Sequence, residues 1–514
     1  MLEVAIVGGG VSGLALADAL HQAGKSFALY EARNRLGGRV LTKTSELTGG
    51  AIDLGPTLFW PETQPHMRAL IDKLGLAHFP QHDSGNILQL NDPNQPPESL
   101  DVVGVHGGAH RLKGGMNALV SKLANRLPAS SLHLDHALTS LENHGDCVRL
   151  QFKTANGLIT VSARKVVLAM PPRLISEHVS FNPVLSAELV EAMRATHTWM
   201  ADQAKAVTAF DQAFWRSAGH SGNAFSNHPQ SVLAEIFDAC DESGEQAALG
   251  GFVALAAESR EAYRRSMPVL VESQLTLIFG KQAQDGELHY QDWSAETYTC
   301  ASLDVAPLTA LPVYGDQHLR QSWWGGKLML SGAETASHAG GYLEGALESA
   351  ARLKRVLISS STSLFNSDND TSLQRLKHWV DEQRQQAEAH YRNNLNHMLS
   401  NQYKTQVTQR ALLGTVEHIY EEALRQIEQL PFNTQNVTVE QGRLALTPAV
   451  LTAFAGFNKE IVEAAIEFNR GSCAISNFPQ EQVLDEEYLN VIQRDLSAAW
   501  RDFALSVNDV LLAK

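Results

Sequence analysis

A chain of 514 residues can bury a sizeable core across roughly two to four domains, and 44% apolar with 19% charged residues excludes a largely disordered state. The formal net charge of −15 disfavours nucleic acid as a partner and mildly favours cationic ligands. Cys147, Cys240, Cys300 and Cys473 are scattered without a CxxC pair, so free thiols are expected.

The apolar run VAIVGGG (residues 4–10) reads as a strand ending in glycines, and LALADALHQAG (14–24) carries helical spacing up to a terminal glycine. SFALYE closes a β-α-β unit of about thirty residues, the shape that accommodates a dinucleotide. With a strand already starting near Leu2 there is no room for a leader, and no apolar run approaches the ~20 residues of a membrane helix. The expectation is a cytoplasmic protein that does not enter a membrane. Gly8, Gly10 and Gly13 form GxGxxG between strand and helix: the first for the tight turn, the second for close approach of a pyrophosphate, the third for helix-strand packing. Val11 and Ser12 open the helix, whose free N–H groups favour a phosphate. Glu31, with Ala32 and Arg33 after it, stands where a ribose-binding acid is expected.

Further along, SLHLDHALTSLE, CVRLQF and GLITVSARKVVLAMPP read as strands of a small antiparallel layer that returns to the main sheet. The middle of the chain mixes strands such as AKAVTAF with helices such as LVEAMRAT. From residue 358, ISSSTSLFNSDNDTS is too poor in apolar residues to order itself and reads as a linker over 358–372. Beyond it, Leu413, Val416, Tyr420, Leu424 and Ile427 keep one helical face, as do Leu489, Ile492, Leu496, Trp500 and Phe503. Thr447 before Pro448 reads as an N-cap and first helical residue.

EARNRLGGRV (31–40) adds a glycine pair, including Gly38, and Arg39 directly after the ribose acid, and here the chain resembles the flavin-containing amine oxidase family. The resemblance recurs in DLGP (53–56), in RLKGGMNAL (111–119), at Leu138 in HALTSLE, in VVLAMPP (166–172) and in SGAETASHAGGYLEGA (331–346). It implies FAD, with Arg39 beside the pyrophosphate, Gly55, Pro56, Thr57 and Leu58 passing under the flavin, and the backbone at Leu138 holding adenine. It also implies Gly332 and Glu334 on the ribityl and phosphate side, and Gly341, Leu343 and Ala346 along the isoalloxazine.

In that family a neutral amine loses a hydride from its α-carbon to flavin N5, the imine is hydrolysed, and oxygen reoxidises the flavin. Tyr342 matches one aromatic wall of the amine site. The position of the second wall falls on Leu303, and Ser302 stands where some relatives carry a cysteine tethering FAD, so the cofactor is expected to be non-covalent. The lysine that many members hold near N5 falls, by counting from Gly251 and Phe252, on Ala257, while Lys205 reads as structural or solvent-facing. Phe59 and Trp60, after DLGP, are candidates to replace the missing wall. The lack of an arginine in that turn favours an amine without a carboxylate.

Together these readings predict an α/β protein: a Rossmann-like FAD-binding domain (1–57, 105–175 and 300–357), an inserted α+β substrate domain (58–104 and 176–299), and an all-α C-terminal domain (373–514). The expected activity is FAD-dependent amine oxidation with O2 as acceptor and H2O2 as product. Its rivals are a dehydrogenase or desaturase that does not use O2, and a flavin-bound regulatory protein. The substrate is a small amine, no metal site is implied, and the C-terminal helices are left as a surface for a second copy or a protein partner.

Overall fold

The computed structural model describes residues 1–101, 104–305, 312–358, 367–400, 406–432, 446–471, 481 and 484–512. The chain forms two compact units, Met1–Ile358 and Ser359–Lys514. It is a mixed α/β protein with a helical C-terminal region, and no helix among the described residues is long and apolar enough to cross a membrane.

The first unit holds two large sheets. In the first, β1 (Leu2–Val7) lies parallel to β2 (Phe27–Tyr30) on one side and to the second half of the strand Gly157–Leu168 on the other. The first half of that long strand pairs antiparallel with Val148–Thr154, which pairs in turn with Ala137–Asn143. One continuous strand therefore joins the small antiparallel layer to the parallel sheet. Leu328–Leu330 also adds in parallel to its second half, bringing the 331–346 segment back beside the first glycine turn. α1 (Val11–Gln22) packs Leu14, Ala17 and Leu20 into a core shared with Leu347, Ala350 and Leu353 of the helix Leu343–Ile358. The strand Ser180–Asn182, assigned from sequence to the inserted domain, instead pairs with Ala137–Asn143 at the edge of this sheet, and Leu189 and Met193 of the next helix join its core. The chain therefore leaves the first layer after Ala195 rather than at residue 176.

The second sheet orders its strands as Glu287–Asp292, Ala204–Phe210, Ala247–Val253, Leu233–Asp238, His220–Ser226, Asn86–Leu90 and Glu98–Leu100. Successive side chains of a strand point to opposite faces. Ala204, Ala206 and Phe210 accordingly pack with Met267, Val271 and Leu275 of the helix Met267–Phe279, whereas Val207 and Ala209 pack with Ile52 and Leu54 beneath the DLGP turn. Lys205 belongs to the second set by parity, on the face that meets the first layer.

The second unit comprises the helices Ser367–Ser400, Val407–Gln429, Thr447–Thr452, Phe457–Gly471 and Glu486–Leu512 around its own core. Val416, Tyr420, Ile427, Ile492, Leu496 and Phe503 are buried, with Tyr420 and Phe503 stacked at 4.3 Å; Leu424 and Trp500 pack partly buried beside them. The expected linker 358–372 is corrected at both ends. Ile358 ends a helix and another begins at Ser367, because Leu376, Val380 and Tyr391 further along pull that helix into the core; residues 359–366 lie outside the described residues. Thr447 is the first helical residue rather than the cap.

Candidate active site

The three glycines of the first turn differ in what surrounds them. Gly8 has φ +112°, and a Cβ there would lie 2.2 Å from the Ala169 carbonyl oxygen; one on Gly13 would lie 2.1 Å from that of Gly8. A Cβ on Gly10 would meet nothing within 4 Å. Two glycines thus allow strand and helix to close on each other, while the middle one faces open space. No side chain caps α1, so its first N–H groups are left for a ligand at that opening.

The space belongs to a cavity of about 850 Å³. Of the residues picked out from the sequence, Gly8, Gly10, Val11, Ser12, Glu31, Ala32, Arg33, Gly38, Arg39, Gly55, Pro56, Thr57, Leu58, Trp60, Leu138, Gly332, Gly341, Tyr342, Leu343 and Ala346 all line it. Its polar walls are fixed by buried pairs. Glu31 accepts the Gly9 N–H at 2.7 Å and the Arg33 N–H at 2.9 Å, clamping the glycine turn to the end of β2. Arg33 reaches across to Glu296 at 3.1 Å and Thr299 at 2.7 Å. Ser12, Ser331 and Ser349 share a buried hydroxyl cluster, with Ser12 to Ser331 at 2.7 Å, that ties α1 to the returning segment.

Gly13, expected to let helix and strand pack closely, does so and does not line the cavity. Four expectations are corrected. Glu334, expected along the cofactor, lies behind the wall and holds Arg39 in a bidentate pair at 2.7 and 3.0 Å. Phe59 is fully buried in the core, bridged to His110 through its backbone, so only its neighbour Trp60 faces the cavity. Leu303 sits outside the cavity on a short helical turn, 43% exposed, where its carbonyl oxygen accepts from Arg173. Ala257 begins a helix beyond the end of the strand Ala247–Val253 and does not reach the cavity.

A lysine from another segment does reach the cavity. Lys205 lines the cavity at 3% exposure, donates to the Gly55 carbonyl oxygen at 2.8 Å and to Thr57 Oγ1, and lies 5.2 Å from the Phe237 ring and 5.7 Å from the Phe252 ring. Burial lowers its pKa from 10.5 to about 7. The solvent-facing reading is thus overturned. The alternation of AKAVTAF, which sets Lys205 on the same face as Val207 and Ala209, was the signal available in sequence. Trp199 was also missed. It lines the cavity, its ring centroid is 5.8 Å from that of Tyr342, and its backbone is gripped by Glu334 and Arg39. Tyr342 thus has an aromatic neighbour that counting along the chain did not supply.

A glycine turn opening on a cavity, a ribose-type acid beside it, and an aromatic wall with a buried lysine fit a flavin dinucleotide. The family model described as flavin containing amine oxidoreductase matches residues 11–97 and 95–353. Similar curated proteins include amine oxidase [flavin-containing] B of Bos taurus, 23% identical over 69% of this chain and 86% of its own length. Another is the probable flavin-containing monoamine oxidase A of Dictyostelium discoideum, 24% identical over 69% of this chain and 97% of its own. Among solved structures, a putrescine oxidase variant matches with TM-score 0.59 and 19% identity, covering 70% of this chain and 99% of its own. Cyclohexylamine oxidase from Brevibacterium oxydans matches with TM-score 0.58 and 20% identity over the same shares. The family match ends at residue 353, so it does not extend into the helical second unit. With more than half of the chain matched, the closing segment 331–346 included, the chain belongs to the flavin-containing amine oxidoreductase family.

Proposed function

We propose that the chain is an FAD-dependent amine oxidase that binds FAD non-covalently and uses O2 as acceptor, giving H2O2. The observation that carries this reading is the single cavity joining the Gly10 opening to the wall of Lys205, Phe237, Phe252, Trp199 and Tyr342. When bound, FAD supplies the acceptor for a hydride from the amine α-carbon. Gly10, Val11 and Ser12 would hold its pyrophosphate, Glu31 a ribose, Leu138 the adenine, and Gly55 to Leu58 with Gly341 to Ala346 the flavin itself. Tyr342 and Trp60 offer apolar walls that exclude water and favour the uncharged amine. Lys205 offers a proton-bearing cation at the turn under the flavin, where it would favour electron transfer to oxygen.

Non-covalent binding is supported by the state of Cys300, the thiol nearest in sequence to Ser302. It does not line the cavity, and burial reinforced by Asp304 and other carboxylates pushes it up to about 12, far from the reactive thiolate. The first sheet would carry the cofactor and the second the substrate, with the boundary between them after residue 195. We place the protein in the cytoplasm.

Anaerobic addition of primary, secondary and polyamines to the purified holoprotein tests the reading. Bleaching of the visible flavin band by one amine class, with recolouring and peroxide release on admitting air, is expected. A flavin that stays oxidised with every amine overturns amine oxidation, and bleaching without reoxidation by air overturns the oxidase assignment.

A further inference from the structure

The second sheet brings to the cavity a charge that oxidation of a simple amine does not need. Glu235, on the strand Leu233–Asp238, lines the cavity with 38% of its side chain exposed. Register places Glu235 opposite Phe252, and Phe252 opposite Lys205. The three residues form one row across adjacent strands, which at the usual spacing puts the lysine and glutamate backbones about 10 Å apart. Phe252, standing between them, offers an apolar surface along the way.

The charges around Glu235 do not cancel. Its charged partner is His106 Nε2 at 3.5 Å, and that ring is already held from behind by Asp83, whose Oδ1 lies 2.9 Å from Nδ1 and whose Oδ2 accepts the His106 N–H at 2.8 Å. Asn223 fixes Asp83 in turn at 2.9 Å. Burial opposes protonation of His106, yet Asp83 and Glu235 raise it to about 9, so the imidazole is cationic near neutrality. One imidazolium then faces two carboxylates, Glu235 at the cavity and Asp83 behind the ring, leaving this three-residue cluster with a net negative charge. Lys205, drawn down by burial and engaged by Gly55 and Thr57, offsets little of it.

We infer that Glu235 receives a second cationic group of the substrate, so that the preferred amines are diamines or polyamines, reacting at one end while the other ammonium rests on this carboxylate. His106 and Asp83 act as positioning residues that aim Glu235, and Phe252 covers the intervening methylenes. This inference rests on the amine reading of the cavity and narrows it.

The test is binding to the oxidised holoenzyme without oxygen, read from the change in the flavin spectrum. A series of α,ω-diamines from diaminopropane to diaminodecane is compared with n-alkylamines of matching length. In the wild type at least one diamine is expected to bind tenfold or more tightly than its monoamine, and Glu235→Gln should shrink that advantage about ten- to hundredfold, the worth of a hydrogen-bonded charge contact. Equal binding of diamines and monoamines at every length in the wild type overturns the inference without any variant, while bleaching by both would leave amine oxidation standing. A diamine advantage lost in Glu235→Gln, with no bleaching by any amine, supports the subsite and overturns amine oxidation instead.

Discussion

At the scale of single residues, Lys205 carries the sharpest consequences. Burial between two rings disfavours its charged form, so the folded chain holds fewer protons than the unfolded one between about pH 7 and the ordinary lysine value of 10.5. Stability from this group is therefore greatest above that window and is lost as pH falls towards 7. On the proposed oxidase reading the same titration would govern oxygen: Lys205 is charged below about 7, so reoxidation of the reduced flavin should slow as pH rises through that value. Lys205→Met should keep the flavin yet slow reoxidation about a hundred- to thousandfold and flatten its pH profile, as stopped-flow mixing with oxygen would show. Reoxidation as fast as in the wild type would remove Lys205 from the oxygen step. Phe59 and Trp60 make a second contrast. Phe59→Ala should cost about 3–5 kcal/mol of stability because it empties a filled core position, whereas Trp60→Ala should mainly raise the KM for the amine. The sequence pointed to both as candidates but not to which faces the cavity, since that depends on the backbone bridge to His110, fifty-one residues along the chain.

At the scale of elements, the glycine turn, the returning segment and the amphipathic C-terminal helices were legible because each is written in local pattern. What fixes several helix starts was not. Helix Pro65–Leu74 has Gln64 at its N-cap and helix Val407–Gln429 has Gln406, and neither side chain caps. The missing acceptors arrive from distant segments. Glu344 takes the His66 and Met67 N–H groups at 3.0 and 2.8 Å, and Glu481 takes those of Val407 and Thr408 at 3.0 and 3.1 Å. A carboxylate at a helix N-terminus satisfies orphan donors and meets the positive end of the helix dipole. Replacing Glu481 by Ala should therefore destabilise the helical unit by about 1–3 kcal/mol in denaturant unfolding, with flavin content unchanged. Glu344 also bonds His66 Nδ1 at 2.7 Å. Burial works against the Glu344 charge but the bonds from His66 and Met67 outweigh it, holding the carboxyl below its usual range. Its contribution is present above the ordinary glutamate value and is lost as pH falls through the lowered one. The His66 side, raised chiefly by its bond to Glu344, is lost instead as pH rises through the raised imidazole value.

At the scale of the whole molecule, the first unit is held by partners far apart in sequence, and this is what makes it sensitive to its cofactor. Ser12 meets Ser331 and Ser349, Arg39 meets Glu334, and the described residues lining the cavity run from Val7 to Ala346. On the proposed FAD reading, a dinucleotide seated there would touch both ends of the first unit at once, so its binding free energy would add directly to the stability of that unit. The helical unit has a core of its own, built from Leu376, Tyr391, Val416, Tyr420, Phe457 and Phe503. At a hundredfold excess over Kd, FAD should stabilise the first unit by about 2.7 kcal/mol. Calorimetry of protein stripped of flavin and then resupplied should accordingly show one transition that rises with FAD and a second that does not. A single transition moving as a whole would mean that the two cores unfold together, and no shift on adding FAD would mean that the glycine turn and closing segment do not hold the dinucleotide. The first result would also explain why the helical unit carries no motif that could be read from sequence: its residues answer only to the packing of their own core.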